Sequence, residues 1–218
     1  AYDRQQGVNC MKIKRFALGT LWTNCYIVWD ANNNGVIIDP GAPSEETESF
    51  IKDNDIKIVW ILLTHGHSDH IGGVASLRNL SENGVAIHYD DADALTDTNK
   101  NLSAYVGENV KVAAPDKLLK DGDELTAGSL KISVIHTPGH TEGGVCLLIA
   151  DGDDKMLMSG DTLFARSVGR SDLPGGDEAQ LIESLKKLDP LPDKMRVYPG
   201  HGPETTIGAE KTYNPYWP

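Results

Sequence analysis

The 218-residue chain has few cysteines, few aromatic residues, a shortage of basic charge and no long apolar run. Each shortage excludes something. A membrane-spanning helix needs ~18 or more consecutive apolar residues, and no stretch approaches that. Lys and Arg number 20 against 32 Asp and Glu, a formal net charge of −12. That balance repels polyanions, so neither a nucleic-acid partner nor a membrane surface is expected. Cys10, Cys25 and Cys146 lie far apart without CxxC spacing. An odd number of thiols with no paired framework points to a reducing compartment, the cytoplasm. The first residues lack the basic start and apolar stretch of a secretory signal. Residues 1–10 are polar and patternless, and Met11 opens a strand-like run. They read as a leader or an added remnant, with 11–218 as one domain large enough to bury a core without staples.

The remaining pattern alternates strands and helices irregularly. Strands are predicted at 11–16, 24–30, 35–39, 58–63, 85–88, 124–126, 130–136, 144–150, 155–159 and 196–198. Ser44 is a suitable N-cap for a helix to Asn54, with Glu45, Glu46 and Glu48 at its positive end. Further helices are predicted at 70–83 and 90–97, at 177–188 behind Asp177, and from Thr205. Residues 160–176 form a long patternless loop. This order suggests two sheets face to face with helices outside.

Seven histidines are the most informative residues. Three fall in Thr64-His65-Gly66-His67-Ser68-Asp69-His70, directly after a buried strand. His140, Asp161 and His201 each follow the end of another predicted strand. A histidine standing alone is commonly a satisfied core or surface residue, so His140 or His201 by itself carries little. Three imidazoles and a carboxylate within six residues are different. Protonated, they repel; buried, they compete for partners. A divalent cation resolves both, because neutral imidazole and carboxylate are its ligands. His88 and His136 lack such company and are read as structural.

The segment from Thr64 to His70 resembles the HxHxDH signature of the metallo-β-lactamase superfamily, and Gly72-Gly73 follow as they do there. His140, Asp161 and His201 resemble that family's remaining ligands in order. The resemblance runs from Met11 over nearly the whole chain. It implies a four-layer αββα sandwich. It also implies one metal on His65, His67 and His140, a second on Asp69, His70 and His201, and Asp161 bridging them. Two divalent ions follow, zinc first, with iron or manganese also suited to these ligands. True β-lactamases lack the bridging aspartate, so Asp161 argues against antibiotic hydrolysis. Flavo-diiron proteins carry Glu where His67 stands. The stretches Gly169–Gly176, Pro199–Gly208 and Asn24-Cys25-Tyr26 are similar to the glyoxalase II-like group. Only 17 residues follow His201, too few for the helical glutathione-binding domain of two-domain glyoxalase II, so the likeness is to short, single-domain relatives.

The activity so implied is a metal-dependent hydrolase whose metal-bridging hydroxide cleaves an acyl thioester, S-lactoylglutathione or a related hydroxyacyl thioester. Asp69 is then both ligand and candidate catalytic residue, orienting the nucleophile or taking a proton. Thr64, Thr141 and Asp39 are candidate supports for the imidazoles, although Asp39-Pro40-Gly41 also reads as a simple turn. Arg166 and Arg170 either attract an anionic substrate or brace their loop, with Arg170 favoured to brace through Asp172. Tyr105, Tyr213 and Trp217 line a pocket or pack in core and rim. Two alternatives remain: a mononuclear-iron persulfide dioxygenase using His65, His140 and Asp161, and a non-catalytic metal-binding scaffold.

Overall fold

Alternation of inward and outward apolar residues builds two six-stranded sheets in this computed structural model, which describes residues 11–218. The reading of residues 1–10, Cys10 included, lies outside the described residues. The first sheet runs, in spatial order, β1 (Lys12–Leu18), β2 (Thr23–Trp29), β3 (Asn34–Ile38), β4 (Lys57–Leu62), β5 (Val85–His88) and β6 (Lys117–Leu119). Its first two pairings are antiparallel and the rest parallel. The later chain adds β7 (Glu124–Ala127), β8 (Leu130–His136), β9 (Val145–Asp151), β10 (Asp154–Gly160), the hairpin β11 (Leu163–Phe164) and β12 (Ser167–Val168), β13 (Arg196–Pro199) and β14 (Thr205–Thr206). Without the hairpin these form the second sheet, in the order β14-β13-β10-β9-β8-β7.

The period of two along each strand separates three cores. In β2, Tyr26 and Val28 face the second sheet, where they meet Leu130, Ile132, Leu147, Met156 and Met158. Cys25, Ile27 and Trp29 face outward and pack with helix residues Ile51, Val74 and Leu77. In the second sheet Cys146, Leu157 and Val197 face outward, against Leu185, Leu188 and Ile207. Helices therefore cover both outer faces, and the αββα sandwich implied by the family resemblance is the fold. Each fully buried aliphatic side chain contributes about 1.5–3 kcal/mol, so a central strand such as β2, buried along its whole length, is fixed from two sides.

Helix α1 (Glu45–Asp53) starts where expected, with the Ser44 hydroxyl accepting from Thr47 N at 3.1 Å. Asp177 likewise caps α4 (Glu178–Lys186) through Gln180 N at 3.0 Å. The continuous helix expected over 70–83 is instead α2 (Ser68–Ile71), α3 (Val74–Leu77) and a 3-10 turn at Arg78–Leu80. Gly72 and Gly73 are the cause: any side chain there would strike the main chain of Gly41 and Ala42, and Gly73 N donates to Pro40 O at 2.7 Å. Tertiary contact replaces helix continuation. The helix expected at 90–97 is a 3-10 segment, Tyr89–Leu95. The loop at 160–176 contains the β11–β12 hairpin. The last helix, α5 (Ile207–Tyr213), begins after Thr205–Thr206, which pair with β13 as a short strand.

Candidate metal centre

Strands β3, β4, β8, β10 and β13 all end at the same end of the sandwich. Beyond β4 come His65, His67, Asp69 and His70; beyond β8, His140; beyond β10, Asp161; beyond β13, His201. Asp69 and His201 are partly buried and the other five are buried. The donors form two sets. His65, His67 and His140 bring ligand atoms within 4.8 Å of one another, and Asp69, His70 and His201 do the same. Asp161 lies between them, with Oδ2 at 3.4 Å from His140 Nε2 and 3.5 Å from His201 Nε2, and Oδ1 at 3.5 Å from His70 Nε2.

Nε2 of His65, His67, His70 and His140, and Oδ1 of Asp161, are buried and make no hydrogen bond. An orphaned buried polar atom costs about 1–3 kcal/mol, and five of them turned toward one another are not a stable core. They suit a divalent cation, which takes imidazole nitrogen and carboxylate oxygen together.

The opposite ring nitrogens explain the orientation. His70 Nδ1 donates to Asp39 Oδ2 at 2.9 Å, since an ionised carboxylate only accepts. His140 Nδ1 donates to the Arg170 carbonyl at 2.7 Å. The Thr64 hydroxyl donates to Asp39 Oδ2 at 2.6 Å, so its oxygen accepts from His65 Nδ1 at 3.1 Å. In His65 and His140 the bonded Nδ1 carries the proton and the Nε2 lone pair is turned to the centre, and His70 Nε2 is aimed the same way. Asp39 also accepts from Thr64 N at 2.8 Å. Although Asp39, His65 and His70 lie close enough to be counted as a donor set, the Asp39 oxygens are engaged in orienting neighbours. Thr23 Oγ1 donates to Asp69 Oδ2 at 2.8 Å, and that oxygen lies 3.2 Å from His201 Nε2.

The two sets differ electrostatically. Burial, with the neighbouring imidazoles, drives His65 far below the usual histidine range and His67 down to about 3. Both stay neutral, as ligands must. Burial also opposes charge on His70, but Asp69, Asp161 and Asp39 together outweigh it and raise its pKa to about 10. Asp69 is desolvated yet held well below the carboxylate range by His70, His201 and Thr23. A cation in the second set would displace the His70 proton, so its binding is coupled to proton release.

The other sequence expectations fall as follows. Thr64 and Asp39 orient imidazoles. Arg170 forms a bidentate pair with Asp172, both contacts at 2.8 Å. The Arg166 guanidinium lies 5.7 Å from the Tyr213 ring centroid. Trp217 packs on the core under α4 and α5, and Tyr105 is exposed. Asn24 and Tyr26 have a role that spacing does not show. Asn24 Nδ2 donates to Pro199 O and Gly202 O, both at 2.9 Å, and Tyr26 hydroxyl donates to Pro199 O at 2.8 Å. They tie the His201 loop to the opposite sheet. Asp91 was also not marked by the sequence: it sits in an acidic stretch behind His88, far along the chain from the loops it meets.

A further group, His88, Asp90 and His136, brings donors within 4.8 Å. The two rings are stacked, with centroids 4.0 Å apart and planes 12° apart. Their in-plane lone pairs run parallel and cannot converge on one ion. His136 Nε2 donates to Glu142 O at 2.9 Å.

Fold and centre together are those of an αββα protein with clustered metal-binding residues. Residues 19–201 match the family model of the metallo-beta-lactamase superfamily, and the chain belongs to that superfamily. It is 33% identical over 211 residues to the hydroxyacylglutathione hydrolase GloC of Haemophilus influenzae, covering 94% of this chain and 98% of that protein. It is 34% identical over 208 residues to the probable metallo-hydrolase YqgX of Bacillus subtilis, covering 94% and 97%. Among solved structures, BLEG-1 B3 metallo-beta-lactamase is similar with a TM-score of 0.87 and 38% identity, over 94% of this chain and 99% of that one. TTHA1623 in a di-iron-bound form is similar with a TM-score of 0.82 and 37% identity, over 93% and 99%. No helix among the described residues is long and apolar enough to cross a membrane.

Proposed function

We propose that this chain is a binuclear metallohydrolase acting on an acyl thioester, S-lactoylglutathione or a related hydroxyacyl thioester. The observation that carries the reading is the pair of donor sets sharing Asp161, with buried Nε2 atoms that have no other partner. His65, His67 and His140 hold one ion, Asp69, His70 and His201 the other, and Asp161 lies between. Zinc is the first choice and iron or manganese fit the same donors, the di-iron form of TTHA1623 supporting iron. Bound divalent ions lower the pKa of water toward ~7 and polarise an acyl oxygen.

The residues of the chain supply orientation. Asp39, the Thr64 hydroxyl and the Arg170 carbonyl fix His70, His65 and His140. Thr23 fixes Asp69 Oδ2, 3.2 Å from His201 Nε2, and in this reading Asp69 orients the nucleophile. A thiol leaving group, with an ordinary pKa near ~8.5, departs as thiolate without a strong general acid. That suits a site where His65 and His67 stay neutral. The likeness to GloC supports the thioester.

The test is metal content and thiol release from S-lactoylglutathione on one preparation, with His67→Ala beside it. Two ions per chain and hydrolysis lost in the variant support the reading. The likeness to BLEG-1 places β-lactams in the substrate panel; turnover of these alone would replace the substrate assignment. One iron per chain, oxygen consumption with glutathione persulfide and no thiol release would replace it with the dioxygenase. Metal binding without turnover of any ester or thioester would leave a scaffold protein.

A further inference from the structure

One buried carboxylate beside the centre belongs to neither donor set. Asp91, in the Tyr89–Leu95 segment, is 6% exposed. Its Oδ2 accepts from Gly66 N and from Thr141 Oγ1, both at 2.8 Å, and its Oδ1 accepts from Gly143 N at 2.7 Å. Gly66 stands between His65 and His67, and Thr141 follows His140. One side chain therefore ties together the two loops that supply the first donor set.

The neighbouring residues are shaped for this contact. A Cβ on Gly143 would lie 2.6 Å from Asp91 N and 2.7 Å from its Cβ, and one on Gly66 would lie 2.5 Å from Ala94 Cβ. Only glycine lets both loops approach the segment that carries Asp91. A buried carboxylate is costly unless fully hydrogen-bonded, and here its bonds go to ligand-bearing loops. Asp91 touches neither support of the second donor set: Asp39, which holds His70 and reaches His65 through the Thr64 hydroxyl, and Thr23, which holds Asp69.

We propose that Asp91 is a positioning residue that holds His65, His67 and His140 in register, and so sets metal affinity at that position independently of Asp69, His70 and His201. The inference rests on the two-metal reading above. Ligand atoms must sit within about 0.2 Å of ideal distances, and two loops from different sheets keep that tolerance only if something joins them.

The experiment titrates metal-free wild type, Asp91→Asn and Asp30→Asn with zinc against a chromophoric chelator, resolving two dissociation constants. In Asp91→Asn one constant weakens about 10–100-fold and the other stays within about 3-fold. Adding His67→Ala to Asp91→Asn costs less than the two single changes summed, whereas adding His201→Ala costs the full sum. Asp30, fully buried at the opposite end and accepting from Asn32, Asn34 and Ser129 N–H groups, is the structural control. Asp30→Asn lowers thermal stability and leaves both constants within about 3-fold. If Asp91→Asn does not fold, Thr141→Val removes one of the bonds and weakens the same constant several-fold.

Equal weakening of both constants, no change in either, coupling to His201 instead of His67, or the same pattern in Asp30→Asn would overturn the inference. So would wild type binding fewer than two ions, which removes the two-metal reading with it. Two ions bound without thioester hydrolysis removes only the substrate assignment and leaves the role of Asp91 standing.

Discussion

The imidazoles around Asp161 and the stacked pair His88–His136 are two answers to placing histidine in a folded interior. Around Asp161, four buried Nε2 atoms point at one another with no hydrogen bond. At His88 and His136 the rings lie face to face, and His136 Nε2 is satisfied by a carbonyl. The first arrangement is unstable as a set of neutral side chains and is completed by a cation. The second is complete by itself, provided the His88 ring stays uncharged. Histidine density does not separate the two. The direction of the lone pairs, and whether anything in the chain answers them, does.

Changes in each group sharpen the contrast. The largest effect is expected from His67→Ala, which removes a proposed ligand; hydrolysis should fall by more than about 100-fold, with metal content below wild type. Next, Asp39→Asn should weaken metal binding about 10–100-fold through His70, measured by chelator competition. Asn cannot accept at both oxygens as Asp39 does.

The stacked pair should answer to pH instead of metal. Burial and the adjacent His136 push the His88 pKa down to about 4. As pH falls the unfolded chain, near the usual ~6.5, takes this proton before the folded one does. The contribution is therefore fully present above pH ~6.5 and is lost between there and pH ~4, amounting to at most about 3 kcal/mol. Denaturant melts across that range should show the slope, and His136→Gln should flatten it. The smallest effect is expected from His136→Gln on metal binding, within about 3-fold of wild type. A loss of metal there as large as in Asp39→Asn would erase the distinction between the two groups.

Much of this was legible in the sequence because chemistry and chain order coincide at Thr64–His70. Packing three imidazoles and an aspartate into six residues leaves few explanations, and His140, Asp161 and His201 each follow a strand end. Strands such as β2 and β4 were legible as short apolar runs and β8 by its alternation. What was not legible depends on contacts between distant segments. Helical pattern continues through Gly72 and Gly73, yet the approach of Gly41 and Ala42 breaks the helix. Asp91 sits in a stretch expected to be helical, and only the folded chain turns its side chain inward onto Gly66, Thr141 and Gly143. Asn24 and Tyr26 stand out only by family likeness, and their task shows once β13 lies opposite them.

The bonds from Asn24 and Tyr26 to Pro199 join residues more than 170 positions apart. The donors themselves run from His65 to His201, across both sheets. Such a centre is assembled late, because distant chain segments must close their loops before any ion finds a full coordination sphere. An ion that binds only the finished arrangement then acts as a mass-action weight on the native state, adding stability that grows with free metal concentration. Lesions far from the site that loosen the docking of one sheet on the other should therefore first appear as metal deficiency.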